Sequence, residues 1–150
     1  MDLHFHPADL YREMEGFKTP MEFLSEKPEV IGKLLQGYAD DFSMADGSKT
    51  LKSDPSGEMR ILPDAAASRR ISGMFGNKLA QENPDRAHAI LTEQPGGYLV
   101  SIRAPISKRE GADVLALQFE TGGGRSAAAG VNHLPDDELD RFVEAFQKAF

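Results

Sequence analysis

The chain contains no cysteine, which excludes disulfide staples, cysteine nucleophiles, iron–sulfur ligation and thiolate zinc sites. No apolar run approaches the roughly 20 residues that a helical membrane span requires, so no membrane is expected among its partners. The opening Met-Asp-Leu-His-Phe-His lacks the basic and apolar segments of a secretory signal, and the expected compartment is the cytoplasm. Positive charge is also short, with 17 Lys and Arg against 24 Asp and Glu for a net −7. That balance opposes indiscriminate binding to nucleic acid, because neutralised phosphates supply most of such affinity. No internal repeat is present.

What is present is one domain's worth of chain: 150 residues, 40% hydrophobic and 27% charged. The charge is uneven. Residues 1–59 carry 6 basic and 12 acidic side chains, residues 60–125 carry 9 and 7, and residues 126–150 carry 2 and 5. Only the middle can face an anion, unless these are simply solvated surfaces.

From Pro7 to about Ala45 the apolar spacing is helical, with Leu10, Met14 and Phe17, then Val30, Leu34 and Tyr38. Gly16, Thr19-Pro20 and Lys27-Pro28 divide it into two or three short helices, since proline fits a first turn but not a helix interior. Residues 1–45 therefore read as a helical connector. Residues 46–57 concentrate turn formers and read as a linker or long hairpin loop, leaving residues 58–150 as the main domain. There Glu58–Leu62 is a short strand, and Pro63-Asp64 leads into a helix from about Ala66 to Gln81 burying Ile71, Met74, Phe75 and Leu79. Ala87–Thr92 and Tyr98–Arg103 are strands joined by the five residues Glu93–Gly97 and should pair antiparallel. Ala112–Phe119 is a short helix, Val131-Asn132 close a final strand, and a last helix starting at Pro135 buries Leu139, Phe142, Val143, Phe146 and Phe150. The order β-α-β-β-α-β-α predicts an α/β fold with a mixed sheet of about four or five strands and packed helices.

Chemistry concentrates in two places. Thr121-Gly122-Gly123-Gly124-Arg125-Ser126-Ala127-Ala128-Ala129-Gly130 is either a flexible connector or a backbone concavity of N–H groups able to hold a phosphate or carboxylate, with Arg125 adding a charged fork. It lacks the Lys-Ser/Thr of a P-loop and matches no dinucleotide fingerprint. On the strand ending at Arg103, Ser101 and Arg103 share one face while Tyr98, Val100 and Ile102 take the other. Arg103 is then a bidentate anion clamp or a surface ion pair with Glu110 or Glu120. His4 and His6 form an H-x-H pair without an evident third metal ligand, His88 reads as a packed strand residue, and His133 as a residue helping to begin the last helix. The aspartates of Asp40-Asp41 and Asp136-Asp137 are explained by solvation. No catalytic residue and no metal site can be argued.

Three segments resemble one family. Leu62-Pro63-Asp64 with the helix through Leu79-Ala80-Gln81-Glu82-Asn83-Pro84-Asp85, the strand Val100-Ser101-Ile102-Arg103, and Gly122-Gly123-Gly124-Arg125-Ser126-Ala127-Ala128-Ala129-Gly130 resemble, in order and spacing, the DHH-associated domain, the C-terminal substrate-binding part of the DHH phosphoesterases. The resemblance covers Leu62–Gly130 and departs from the family at Arg125, which stands where the signature has histidine, and by one extra residue at Glu120-Thr121. Arginine clamps phosphate but does not relay protons near neutral pH. The resemblance implies a fragment of a longer protein. It implies substrate or phosphate binding at Ser101, Arg103, Gly122, Gly123, Gly124 and Arg125, on a short oligonucleotide or other phosphoester. It also implies a partner catalytic domain with manganese and an Asp-His-His motif, which this chain lacks, so the chain alone is expected to bind without cleaving and to hold no cofactor. Two other readings stand beside it: an RNA-binding module like the C-terminal domain of alanyl-tRNA synthetases, and a structural or dimerisation domain acting as a homodimer.

Overall fold

The structure is a computed structural model describing residues 3–150. It opens with helices α1 (Pro7–Met14), α2 (Pro20–Glu26) and α3 (Pro28–Asp46). Each begins on a proline, whose fixed φ suits the first turn and whose missing N–H is an orphan there anyway. The His6 ring caps α1 by accepting from the Ala8 N–H, and the Thr19 hydroxyl caps α2 by accepting from the Glu22 N–H.

The 46–57 segment holds a strand where turn chemistry predicts irregular chain. Strand β1 (Lys49–Asp54) pairs antiparallel with β2 (Gly57–Leu62). The Asp54 carboxylate accepts from the Ser56 N–H at 2.9 Å, the Ser56 hydroxyl at 2.6 Å and the Gly57 N–H at 3.3 Å, so one side chain folds the turn. The Ser56 hydroxyl first, then a bond from the Gln147 amide at 2.8 Å and the two backbone N–H groups, hold Asp54 down to about 2. Helix α4 (Ala66–Glu82) then carries the chain to β3 (Ala87–Gln94), which lies parallel to β2. A tight turn at Pro95-Gly96, with Gly96 at φ +77, returns it as β4 (Gly97–Arg103), antiparallel to β3. The connection is shorter than the five residues expected because both strands run on to Gln94 and Gly97.

After α5 (Ala112–Ala116) come β5 (Gly122–Arg125), β6 (Ala128–Pro135), a single 3-10 turn over Asp136–Glu138, and α6 (Leu139–Ala149). Among the described residues six strands form one mixed sheet in the order β1-β2-β3-β4-β6-β5, with β2–β3 its parallel pair. The α/β architecture agrees with expectation, and the additional strands are β1 and the glycine segment. No described helix is long and apolar enough to cross a membrane.

Each sheet face has its own core. On one, Met59, Ala89, Leu91, Val100, Ile102 and Val131 pack against α5 and α6 through Leu115, Phe142 and Phe146. On the other, Leu62 and Ile90 meet Ile71, Phe75 and Leu79 of α4, with Ala45 of α3 closing the layer. Met74, expected in the α4 stripe, is 49% exposed, and Tyr38 is 45% exposed. Asp41, expected on a solvated surface, is buried: it accepts from Arg70 Nε at 2.7 Å and Nη2 at 2.6 Å and contacts His4 Nε2 at 2.9 Å. The Arg70 bond, followed by those of His4, holds its carboxyl below the usual range against the opposing effect of burial.

Candidate functional site

Arg103 ends β4 on the α4 side of the sheet. Its Nε donates to Asn77 Oδ1 at 2.7 Å, Nη1 to Ser101 Oγ and to the Ile102 carbonyl at 3.0 Å each, and Nη2 to the Gly73 carbonyl at 3.2 Å. Every one of those acceptors is neutral. No ion pair forms with Glu110, which instead pairs with Lys108 at 3.2 Å, or with Glu120, and among the described residues no carboxylate lies in ion-pair range of Arg103. Burial pushes the guanidinium down from its ordinary value, yet arginine remains charged at neutral pH. Among the described residues this half-buried cation therefore has hydrogen-bond partners but no counterion. Four N–H groups of the fork hold it in place, and one on Nη2 stays available.

Register brings the other expected residues to the same face. Arg103 pairs with Ala128 and Ala128 with Arg125, while Ser101 pairs with Gly130 and Gly130 with Gly123. Directly paired residues project to one side, so Ser101, Arg103 and Arg125 rise around a floor of Gly123, Gly130 and Ala128. β4 and β5 are not neighbours: β6 lies between them, setting the two arginines' backbones roughly 10 Å apart at two strand spacings. Gly122 and Gly124 turn the opposite way. A methyl at Gly122 would collide with the Ala116 carbonyl of α5, and Gly124 sits at φ +143, whereas a methyl at Gly123 would meet open space.

The glycine run is therefore an edge strand and not a loop. The Gly122 N–H donates to the Phe119 carbonyl at 2.9 Å, and strand geometry turns the others toward β6 or the open edge, so they do not converge on a concavity. The cation fork comes from side chains above a bare floor.

Beside Arg103 a cavity of about 190 Å³ is lined by Asn77, Gln81, Ala127 and Arg109 among others. Arg109 is the one non-glycine described residue in the left-handed region, at φ 55, and its guanidinium has no hydrogen-bond or ion-pair partner among the described residues. Composition did not single out Arg109, Asn77 or Gln81. Their signal was the i, i+4 spacing of Asn77 and Gln81 on the α4 face and a second arginine six residues beyond the first.

His88 sits in register between Glu58 and Arg103 and is fully buried, as a packed strand residue should be. Neither ring nitrogen has a hydrogen-bond partner. Desolvation, the largest cause, holds its pKa below the ordinary value; the Asn83 carbonyl, near the ring but outside hydrogen-bond geometry, and the Glu58 carboxylate pull the other way. His133 lies on β6 and contacts Gln94 at 2.9 Å instead of starting the last helix. His4 and His6 are engaged with Asp41 and the α1 cap. No group of three or more His, Asp or Glu suited to a metal occurs among the described residues.

No family model matches the chain, and no curated protein matches it in sequence. Solved structures do match in shape. A chain described as a member of the s1p family of ribosomal proteins, DHH domain, is superposed over 88% of this chain at TM-score 0.56 and 12% identity. The fold is one that DHH-domain proteins carry. A pGpG-specific phosphodiesterase, PggH from Vibrio cholerae, covers 97% of the chain at TM-score 0.61 and 14% identity. The C-Ala domain of Aquifex aeolicus alanyl-tRNA synthetase covers 67% at TM-score 0.52 and 14% identity, and 96% of that domain is matched in return. The chain spans only 34% of the first of these and 52% of the phosphodiesterase.

Proposed function

We propose that the chain is a DHH-associated domain that binds the phosphate end of a nucleotide or short oligonucleotide in the cytoplasm. Cleavage would fall to a separate catalytic domain carrying manganese and the Asp-His-His motif. The observation that carries this reading is the Arg103 guanidinium, half-buried, held by four hydrogen bonds to neutral acceptors and with no counterion among the described residues. The shared fold supports it, since two of the matched proteins are a DHH-domain chain and a phosphodiesterase acting on the dinucleotide pGpG. Arg109 and Arg125 supply further charge, and Ser101 fixes the fork.

Calorimetric titration with the dinucleotide pGpG and with mononucleotides tests it. Hydrogen bonds to a charged group are worth about 1.5–3 kcal/mol, so Arg103→Ala is expected to weaken binding by about 10- to 150-fold. Equal affinity of wild type and Arg103→Ala would refute the reading.

A second reading is favoured by the almost complete coverage of the C-Ala domain: a tRNA-binding module. It predicts tRNA binding that falls steeply with salt. The net charge of −7 speaks against it.

A further inference from the structure

Tyr38 of α3, on the apolar helical spacing, and Met74 of α4, expected in its buried stripe, stand 45% and 49% exposed. They flank a groove of about 510 Å³ between the helices, whose lining also includes Phe42, Asn77, Lys78 and Gln81. That volume falls within the ordinary range for small-molecule sites. The Phe42 ring is braced edge-on against buried Phe75, centroids 6.5 Å apart, and meets Tyr38 at 4.7 Å with planes at 60°. Lys78 Nζ lies 5.6 Å above Phe42, tied to Asp46 at 2.6 Å. The groove thus has a fixed aromatic wall at one end and amides at the other. Asn77 and Gln81 line this groove and the Arg103 cavity alike, so the two hollows adjoin across a single face of α4.

We infer that this groove receives the base of the nucleotide whose phosphate lies at Arg103; the inference rests on the phosphate-binding reading above. An unpaired base needs a π-face to stack on and polar groups at its edge. Tyr38 offers the face. The amide of Gln81 makes no hydrogen bond among the described residues, and Asn77 spends only its Oδ1, on Arg103, leaving its Nδ2 to donate. A phosphoester lacking a base would leave Tyr38 and Met74 wet, so the ligand class is narrowed to nucleotides. Burial of the Tyr38 ring against a base also explains why two large apolar side chains are exposed beside a polar helix face.

The test is calorimetric titration of the 150-residue chain with adenosine and guanosine 5′-monophosphates and, separately, with ribose 5-phosphate. It compares wild type, Tyr38→Ala, Tyr38→Phe and Arg103→Ala, each first checked by thermal melting. Tyr38→Ala should weaken the better nucleotide by about 5- to 150-fold, the value of one base–aromatic stack, leave ribose 5-phosphate unchanged, and be rescued by Tyr38→Phe. Arg103→Ala should weaken all three ligands. If Tyr38→Ala leaves nucleotide binding intact, or weakens ribose 5-phosphate equally, the base subsite is overturned while the phosphate reading stands on Arg103→Ala. If no ligand binds wild type at millimolar concentration, both fall.

Discussion

Between pH 7.5 and 5.5 the protein should lose stability through His88, and His88→Leu should abolish that loss. The ring is fully buried with neither nitrogen hydrogen-bonded, and desolvation lowers its folded pKa. In the unfolded chain the ring titrates near its ordinary value of about 6.5. As pH falls through that value the unfolded chain takes up a proton that the folded chain refuses, so stability is complete above about 6.5 and declines below it. If the folded ring stays neutral throughout, the loss between pH 7.5 and 5.5 reaches about 1.4 kcal/mol, equivalent to about 3–5 °C in Tm for a chain of this size. Leucine fills similar volume without two unsatisfied nitrogens, whose burial costs about 1–3 kcal/mol, so the variant should be at least as stable at pH 7.5. Urea unfolding at a series of pH values measures both curves. The difference between them isolates His88 from the chain's three other histidines. Parallel wild-type and His88→Leu curves across this interval would show that the buried ring does not resist protonation.

The two glycines of β5 should separate by face. Gly122→Ala drives a methyl into the Ala116 carbonyl and should cost about 1–3 kcal/mol in urea unfolding. Gly123→Ala meets open space, should change stability by less than about 0.5 kcal/mol, and should weaken anion binding by raising the floor beside Arg103. Asp41→Asn leaves Arg70 facing a neutral partner in a buried setting and should cost about 3 kcal/mol. Because the folded carboxyl is held low, wild type should keep this contribution above the ordinary carboxylate range and lose it as pH falls through the folded value. The acid limb of the stability curve should accordingly be flatter in Asp41→Asn.

The helices were legible because their signals are local. Prolines mark three starts, apolar spacing marks α4 and α6, and Val100 and Ile102 alternate cleanly with Ser101 and Arg103. β1 was hidden because its turn is built by residues that also make loops, Asp54, Ser56 and Gly57, and its own residues are largely exposed. β5 was hidden more deeply: three glycines carry no strand propensity, and the strand exists because β6 pairs with it and α5 demands a residue without Cβ at Gly122. Of the site, the residue types were readable and their mutual placement was not. That Arg103, Arg125, Ser101 and Gly123 share a face depends on the β4–β6–β5 register, and the neutral environment of Arg103 depends on Asn77 and Gly73 of a helix 26 to 30 residues away. Met74 fitted the buried stripe by spacing alone, but α3 does not reach over it.

The location of the site follows from how the sheet is covered. Helices α5 and α6 shield one face out to the β5 edge, whereas α4 covers the other only over β2, β3 and β4. A further helix would need side chains to pack on, and the β6–β5 end of that face offers Gly130, Gly123 and Ala128. Small residues there leave the sheet bare, and a bare sheet beside α4 exposes the end of β4, where Arg103 emerges. Asn77, Ser101 and the Gly73 carbonyl fix the fork, and among the described residues no carboxylate lies in ion-pair range to neutralise it: Glu58 pairs with Arg60 and Arg86, and Glu110 with Lys108. A protein that needed these glycines only for close packing would have placed Gly123 against something. Gly123 instead meets open space, and on the proposed reading that space, adjoining a cation with no counterion among the described residues, is the floor on which the anion would lie.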